Sequence, residues 1–103
     1  MKVYRIVVAR RAEAQIEAID RWWYRNRLDA ADLFLDELES PLDRLAEYPG
    51  EGTLYPAAPP GNIQRILMRR TRYHVYYIVD ETARHVCVLA VWHAARGRPP
   101  RLD

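Results

Sequence analysis

The sequence predicts an α+β fold in which a helical hairpin packs on one face of a mostly antiparallel four-stranded sheet, in the order β-α-α-β-β-β. Two observations lead to this prediction. Residues 9–47 show two apolar stripes at helical spacing with a short connection between them. Residues 63–93 hold three runs dense in β-branched and aromatic residues at short intervals, which is typical of an antiparallel meander.

The first strand is predicted at the apolar run Val3–Val8. The spacing of apolar residues then changes to that of a helix that ends near Arg27. Its apolar stripe consists of Ala12, Ile16, Ile19 and Trp23. A short strand therefore leads directly into an amphipathic helix.

The second helix is predicted to begin at Asp29, because an aspartate side chain is suited to cap a helix N-terminus. Its apolar stripe comprises Ala31, Phe34, Leu35, Leu38, Leu42 and Leu45, and its other side carries Asp32, Asp36, Glu37, Glu39 and Asp43. Pro41 lies inside this pattern and predicts a kink or a new start. A connection of about two or three residues makes the pair an antiparallel hairpin.

The segment Tyr48–Gly61 contains four prolines and three glycines and is predicted to be a loop. The meander follows, with strands at about Gln64–Arg70, Tyr73–Asp80 and His85–His93. Along the second of these strands, alternation places His74, Tyr76 and Ile78 on one face and Tyr73, Val75, Tyr77 and Val79 on the other. The tail from Gly97 to Asp103 is predicted to be irregular.

Length and composition indicate one globular domain that spans all 103 residues. The absence of a long apolar run and of a signal-peptide pattern leads us to expect an intracellular, cytoplasmic protein without membrane contact. The single cysteine, Cys87, lies in an apolar strand and is interpreted as a small buried hydrophobe. Because the three histidines are isolated in sequence and no phosphate-binding or metal-ligand motif is present, we expect no metal and no cofactor.

Charge is unevenly distributed along the chain, although the net charge is only +2. Residues 1–27 hold seven basic and three acidic side chains, residues 28–62 hold one and eight, and residues 63–103 hold eight and three. This pattern predicts one acidic face and one or two basic faces. All basic residues except Lys2 are arginine. Arginine suits the binding of phosphates and carboxylates, but a GC-rich genome would produce the same excess.

The meander is expected to gather basic and aromatic residues of neighbouring strands. These residues are Arg65, Arg69, Arg70, Arg72, His74, Trp92, His93 and Arg96, and we predict that they form a target-binding surface. A histidine base with arginines that stabilise a crowded phosphate is also the chemistry of RNA cleavage. The alternative interpretation is a solvated basic face with His93 at the end of a core strand.

Two adjacent tryptophans in the first helix cannot both face the core, since successive helical residues point about 100° apart. Trp23 continues the apolar stripe. Trp22 is therefore predicted to be an exposed anchor for a partner protein. Packing of Trp22 against the loop Tyr48–Gly61 is the alternative.

Three stretches of the chain together suggest a family. They are Ala31-x-x-Phe34-Leu35-x-x-Leu38 continuing to Leu42-x-x-Leu45-x-x-Tyr48-Pro49, the strand Tyr73-His74-Val75-Tyr76-Tyr77, and Val88-Leu89-Ala90-Val91-Trp92-His93-Ala94-Ala95-Arg96. Their order and spacing resemble the RelE/ParE superfamily of bacterial type II toxins, from Val3 to Arg96. The resemblance implies a toxin that a cognate antitoxin holds inactive, with Trp22 as our candidate antitoxin contact.

The branches of this superfamily imply different targets. The long hairpin from Arg10 to Glu47 and the ending Val91-Trp92-His93-Ala94-Ala95-Arg96 are more similar to the ParE branch. That branch implies a non-enzymatic inhibitor of DNA gyrase with a ParD-like or similar antitoxin. The RelE branch implies an endoribonuclease that cleaves mRNA on the ribosome, with His93, Arg96 and Arg65 as catalytic residues. A degenerate member that binds only its antitoxin is the third hypothesis.

Overall fold

The computed structural model describes residues 3–56 and 61–102. Its elements are β1 (Arg5–Val8), α1 (Arg10–Asn26), a 3-10 turn (Leu28–Ala30), α2 (Leu33–Glu47), β2 (Thr53–Leu54), β3 (Gln64–Leu67), β4 (Tyr73–Asp80) and β5 (His85–His93). The strands form one sheet in the order β1-β5-β4-β3-β2. β1 runs parallel to β5, and the other pairs are antiparallel. The predicted α+β fold is confirmed.

The sheet has five strands where the sequence predicts four. The additional strand, β2, pairs with Gln64 and Arg65 of β3. It comprises only two exposed residues within a segment rich in proline and glycine, so no strand pattern is visible in the sequence. The rest of the predicted loop is irregular where the structure describes it, and residues 57–60 lie outside the described residues, as does Asp103 of the tail.

The predicted N-cap of the second helix at Asp29 is wrong. Residues 28–30 form a 3-10 turn, in which the Ala30 N–H donates to the Arg27 carbonyl over 3.0 Å, and α2 begins at Leu33. The connection between the helices is therefore longer than expected. The α2 helix also runs without a new start through Pro41. Leu38 and Leu45 on either side of Pro41 are buried, so the core holds both halves of the helix in place.

The helices pack against one face of the sheet, as predicted. The apolar stripes of α1 and α2 meet inward-facing residues of the strands in two adjoining clusters. Their buried members are Ala12, Phe34, Leu38, Leu45, Met68, Tyr73, Val75, Tyr77, Val86, Val88 and Val91. The predicted alternation along β4 is also confirmed, because Tyr73, Val75, Tyr77 and Val79 all belong to this side.

The opposite face, which we call the helix-distal face, is partly buried as well. Its cluster consists of Ile63, Tyr76 and Ala90, with Tyr55, Ile78, Leu89, Trp92 and Leu102 packed against them. The tail from residue 97 is irregular, as expected, but it folds back over this face. The Trp92 indole N–H donates to the Arg98 carbonyl over 2.9 Å, and Pro100 is buried. The tail thus covers apolar surface of the sheet.

A β-bulge interrupts the pairing of β4 and β5. Tyr77 pairs with Val88 and Tyr76 pairs with Ala90, so Leu89 is the extra residue on β5. Leu89 and Ala90 both contact the helix-distal cluster, while Val88 and Val91 both face the helices. The bulge therefore shifts the alternation of side chains along the rest of β5 by one residue.

The loop between α2 and β3 is held by the buried hydroxyl of Tyr77. This oxygen accepts a hydrogen bond from the Gly52 N–H and donates one to the Pro49 carbonyl, each over 2.9 Å. A Cβ at Gly52 would lie 2.5 Å from the same oxygen, so only glycine permits this approach. Burial raises the pKa of the Tyr77 hydroxyl, which keeps it protonated as a donor.

The described residues contain neither a membrane-spanning helix nor a cluster of metal-binding side chains. In this part of the chain no helix is long and apolar enough to cross a membrane. The same residues contain no group of three or more histidine, cysteine, aspartate or glutamate side chains placed to hold a metal ion. Cys87 is half-buried, and burial raises the pKa of its thiol.

We predict that Val91→Asp unfolds the protein and that His93→Ala does not. Val91 is 1% exposed, and an unpaired carboxylate there costs more than the roughly 2–7 kcal/mol of a buried neutral polar group, which is already comparable with the total stability of a small domain. His93 stacks on Tyr73 at the half-buried end of β5, and its loss costs about 0.5–1.5 kcal/mol. Thermal melting followed by circular dichroism measures both. Equal losses in the two variants would assign His93 a structural role.

Candidate functional site

The turn between β3 and β4 presents a cluster of exposed arginines. The sequence predicts that the strand continues to Arg70, but β3 ends at Leu67 because a tight turn begins at Met68. The Met68 N–H donates to the Tyr73 carbonyl over 2.7 Å, and Arg72 adopts a left-handed conformation with φ of 69°. Arg69, Arg70 and Arg72 are exposed on this turn. Three of the predicted target-binding residues therefore lie on one turn.

Glu37 of α2 holds this turn against the helical layer. Its carboxylate accepts hydrogen bonds from the Arg70 N–H over 2.6 Å, the Thr71 N–H over 2.9 Å and the Thr71 hydroxyl over 2.6 Å. Burial alone would raise the pKa of Glu37, but these hydrogen bonds and the Arg70 charge outweigh it, and the pKa is lowered. The carboxylate thus remains ionised and fixes the backbone that carries the arginines.

Arg65 lies on the helix-distal face between two aromatic rings. Its guanidinium carbon is 4.9 Å from the centre of the Tyr55 ring and 5.9 Å from that of Tyr76. Its Nη1 also donates to the Tyr76 hydroxyl over 3.3 Å. These contacts hold a cation on the face of the sheet, where it can bind a phosphate or a carboxylate.

His74 is on the same face, with its ring centre 5.9 Å from that of Tyr76. Partial burial lowers the pKa of His74, and the neighbouring charges of Arg65 and Arg72 lower it further. The imidazole is therefore neutral near pH 7. Arg65, Arg72 and His74 form one electropositive region, as the sequence predicts.

His93 points to the other side of the sheet. It pairs with Tyr73 across the strands, and the two ring centres are 4.9 Å apart on the helix side. Arg65 faces away from the helices, so the proposed catalytic residues His93, Arg96 and Arg65 are not gathered at one point. The bulge at Leu89 is the physical reason, because it moves His93 to the face of Tyr73.

A second site lies between α1 and the end of β5. We call it the Trp22 cleft, and it has a volume of about 350 Å³. Its lining consists of Gln15, Ala18, Ile19, Trp22, Tyr73, Val91, Trp92, His93 and Arg96. Trp22 is 47% exposed, which confirms the prediction that it does not join the core. Its ring meets that of Trp23 edge to face, with 5.6 Å between the ring centres, and borders the cleft across from the end of β5.

The sequence predicts Trp22, His93 and Arg96 as parts of two separate surfaces, and the structure brings them together in the Trp22 cleft. Arg96 lies over the Trp92 ring at 4.2 Å and so borders both the cleft and the helix-distal face. Sequence reasoning missed Gln15, Glu37 and Tyr55. No sequence signal separates Glu37 from the other acidic residues of α2, since Asp36 and Glu39 flank it in the same helix.

The fold defines a class of protein. The chain is similar to the ParDE system of P. aeruginosa, with a TM-score of 0.72 and 14% identity over 90% of this chain and 98% of that one. It is similar to the RelBE complex of E. coli, with a TM-score of 0.60 and 20% identity over 90% and 99% of the chains. A third relative is the RelBE2 complex of M. tuberculosis, with a TM-score of 0.57, 18% identity and coverage of 93% and 97%. The fold is therefore that of the RelE/ParE toxins.

A protein-family model identifies the family within this fold. The model described as the ParE toxin of the type II toxin-antitoxin system parDE matches residues 6–97. The chain belongs to this family. A search of curated protein sequences finds no match.

We predict that Glu37→Gln destabilises the protein by about 1–2 kcal/mol at neutral pH, because the amide cannot accept all three hydrogen bonds and solvent screens part of the loss. Since the folded-state pKa of Glu37 is lowered, its contribution is present above the unfolded pKa of about 4.3 and is lost as the pH falls through the folded pKa. Urea unfolding between pH 3 and pH 7 measures this effect.

The matched control is Glu39→Gln, which changes an exposed carboxylate on the same helix. The control variant should retain the pH dependence of the wild type. A Glu37→Gln variant whose stability falls with acidification as steeply as that of the wild type would contradict the assigned role of Glu37.

Proposed function

We propose that this protein is a toxin that inhibits DNA gyrase and that a cognate antitoxin neutralises it. Membership of the ParE family supports a toxin of a type II toxin-antitoxin system. The observation that supports gyrase inhibition rather than RNA cleavage is the position of His93. It lies on the helix side of the sheet beside Arg96 and away from Arg65, so the three residues of the predicted ribonuclease, His93, Arg96 and Arg65, do not meet at one point.

The histidine of the basic region, His74, is poorly suited to act as the general acid of RNA cleavage. Its lowered pKa keeps His74 neutral, so it is not a ready proton donor to a leaving oxygen at neutral pH. A protein-binding surface needs only complementary shape and charge. Arg65 and the exposed arginines at 69, 70 and 72 supply positive charge over one end of the sheet.

The second candidate function is that of a ribonuclease of the RelE type. One observation favours it: Arg65, His74, Tyr55 and Tyr76 lie together on the helix-distal face. Aromatic rings beside a guanidinium are suited to stack on unpaired bases. A catalytic role would then fall to His74 rather than to His93.

The antitoxin is the second partner in this proposal. Solved relatives are complexes of a toxin with its antitoxin. Trp22 supplies an exposed aromatic anchor at the mouth of the Trp22 cleft, where a partner side chain gains both apolar contact and an adjacent guanidinium. We propose that the antitoxin covers this residue.

We predict that the purified protein inhibits supercoiling by gyrase and leaves ribosome-bound mRNA intact. The triple variant Arg69→Gln, Arg70→Gln and Arg72→Gln should inhibit on the order of tenfold less well, because it lacks the charges that steer an acidic partner. The triple variant Arg10→Gln, Arg21→Gln and Arg25→Gln removes three exposed charges from α1 and is the charge-matched control, which should inhibit like the wild type.

Primer extension on translating ribosomes distinguishes the alternatives. Cleavage of mRNA that disappears in His93→Ala or His74→Ala, with supercoiling unaffected, would replace the gyrase proposal by the ribonuclease. A protein that affects neither gyrase nor mRNA, yet binds its antitoxin, would be the degenerate member.

We also predict that Trp22→Ala weakens antitoxin binding by about 2 kcal/mol or more, the range of an interface anchor. Titration calorimetry with the cognate antitoxin measures this change. Tyr24→Ala is the matched control, because Tyr24 is a similarly exposed aromatic residue on the same helix, 50% exposed and hydrogen-bonded to Asp32 outside the cleft. Equal affinity of the Trp22 variant and the wild type would exclude the anchor role.

A further inference from the structure

The Trp22 cleft combines an apolar floor with several side chains that can donate hydrogen bonds to a ligand. The apolar part is formed by Ala18, Ile19 and Val91, with Trp22 as one wall. The polar residues of the lining are Gln15, Tyr73, His93 and Arg96. None of the described residues that line it is acidic.

Gln15 is oriented by the backbone of β5. Its Oε1 accepts a hydrogen bond from the Val91 N–H over 2.8 Å, which closes the sheet edge where β1 has ended. The orientation of the amide follows from this bond, since only the oxygen can accept from an N–H. The Gln15 amide nitrogen is left as a donor, and in the described part of the chain no acceptor lies within hydrogen-bond distance of it.

His93 is likewise oriented by a hydrogen bond from a backbone N–H group. Its Nδ1 accepts a hydrogen bond from the Ala95 N–H over 3.1 Å, so in this structure the proton of the neutral ring is on Nε2. Arg96 is held over the Trp92 ring and has no ion-pair partner among the described residues. Three donors, one of them a permanent cation, therefore border one small apolar cleft.

We infer that the Trp22 cleft binds a protein segment that carries an apolar side chain next to a carboxylate. The apolar side chain enters between Trp22 and Val91, and the carboxylate accepts from the Arg96 guanidinium and from the amide and imidazole donors. An uncharged segment would leave these donors without acceptors once water is displaced, which is unfavourable. Charge complementarity thus selects an acidic, amphipathic partner.

A carboxylate fits this cleft better than a phosphate. Phosphate sites in proteins combine several cations or a series of backbone N–H groups, and among the described residues of the lining Arg96 is the only cation. The arginines of the β3–β4 turn do not line the cleft. A nucleic acid would therefore find its main contacts elsewhere on the sheet.

This inference deepens the proposed function, because it names the chemistry that a partner must present at Trp22, His93 and Arg96. The test of this inference needs neither gyrase nor antitoxin. The cleft can therefore fail to bind a carboxylate while the protein still inhibits supercoiling, and the cleft can bind a carboxylate in a protein that does not inhibit supercoiling. The probe is phenylacetate, which carries an aromatic ring one carbon from a carboxylate. Phenylacetamide has the same shape without the charge, and benzylphosphonate replaces the carboxylate by a phosphate-like group.

Binding is measured on the full chain by NMR, from the chemical shifts of the Gln15 side-chain amide and the Trp22 indole N–H. We expect phenylacetate to shift both signals in a saturable manner and phenylacetamide to bind about tenfold more weakly or not at all. Arg96→Gln should remove the preference for the acid over the amide. Trp22→Leu should weaken both probes alike, because it removes the apolar wall.

Arg5→Gln is the charge-matched control, since Arg5 is exposed and pairs with His85 at the opposite end of β5. The Arg5→Gln variant should bind each of the three probes as tightly as the wild type does. A melting temperature near that of the wild type verifies that each variant is folded. Equal binding of acid and amide to the wild type would overturn the inference. Tighter binding of benzylphosphonate than of phenylacetate would overturn it too, in favour of a phosphate site.

Discussion

The β-bulge at Leu89 is the constraint on which the arrangement of the site depends. Strict alternation along β5 would place Ala90 and Trp92 on the side of Val86 and Val88, facing the helices. The extra residue reverses this, so Val91 enters the core and Trp92 supports the tail on the helix-distal face. Since β5 lies between β1 and β4, a slip of one residue would expose half of the core.

The bulge determines which residues of β5 lie in each of two chemical environments, one on either face of the sheet. The helix-distal face holds Arg65 with its two tyrosines and a neutral His74, which suits recognition of a flat or charged surface. The helix side of the same sheet end holds His93 in an apolar cleft beside Trp22. Arg96, stacked on Trp92, borders both environments and is available to partners on either side. The two candidate surfaces therefore lie on opposite faces at the same end of one sheet.

The uneven charge of the chain has a structural use beyond solubility. Most acidic side chains of α2 are exposed, but Glu37 turns toward the sheet and fixes the basic turn through three hydrogen bonds. The Glu37 carboxylate thus fixes the backbone of a turn that carries three mutually repelling arginines. The acidic helix and the basic turn are parts of one electrostatic unit, although they are distant in sequence.

The sequence alone determined most of the elements, their order along the chain and the packing of the helical hairpin on one face of the sheet. The spacing of the apolar residues specified α1, β4 and β5, because a buried helix stripe and a buried strand face each require a characteristic spacing. Two adjacent tryptophans in one helix required that one of them be exposed. Tertiary structure alone decided the bulge, the short β2, the start of α2 and the contacts of Gln15 and Glu37. These features depend on pairing register and on partners far along the chain, which local periodicity does not encode. For that reason the sequence named His93 and Arg65 as candidates for one site, while only the folded sheet decided that they lie on opposite faces.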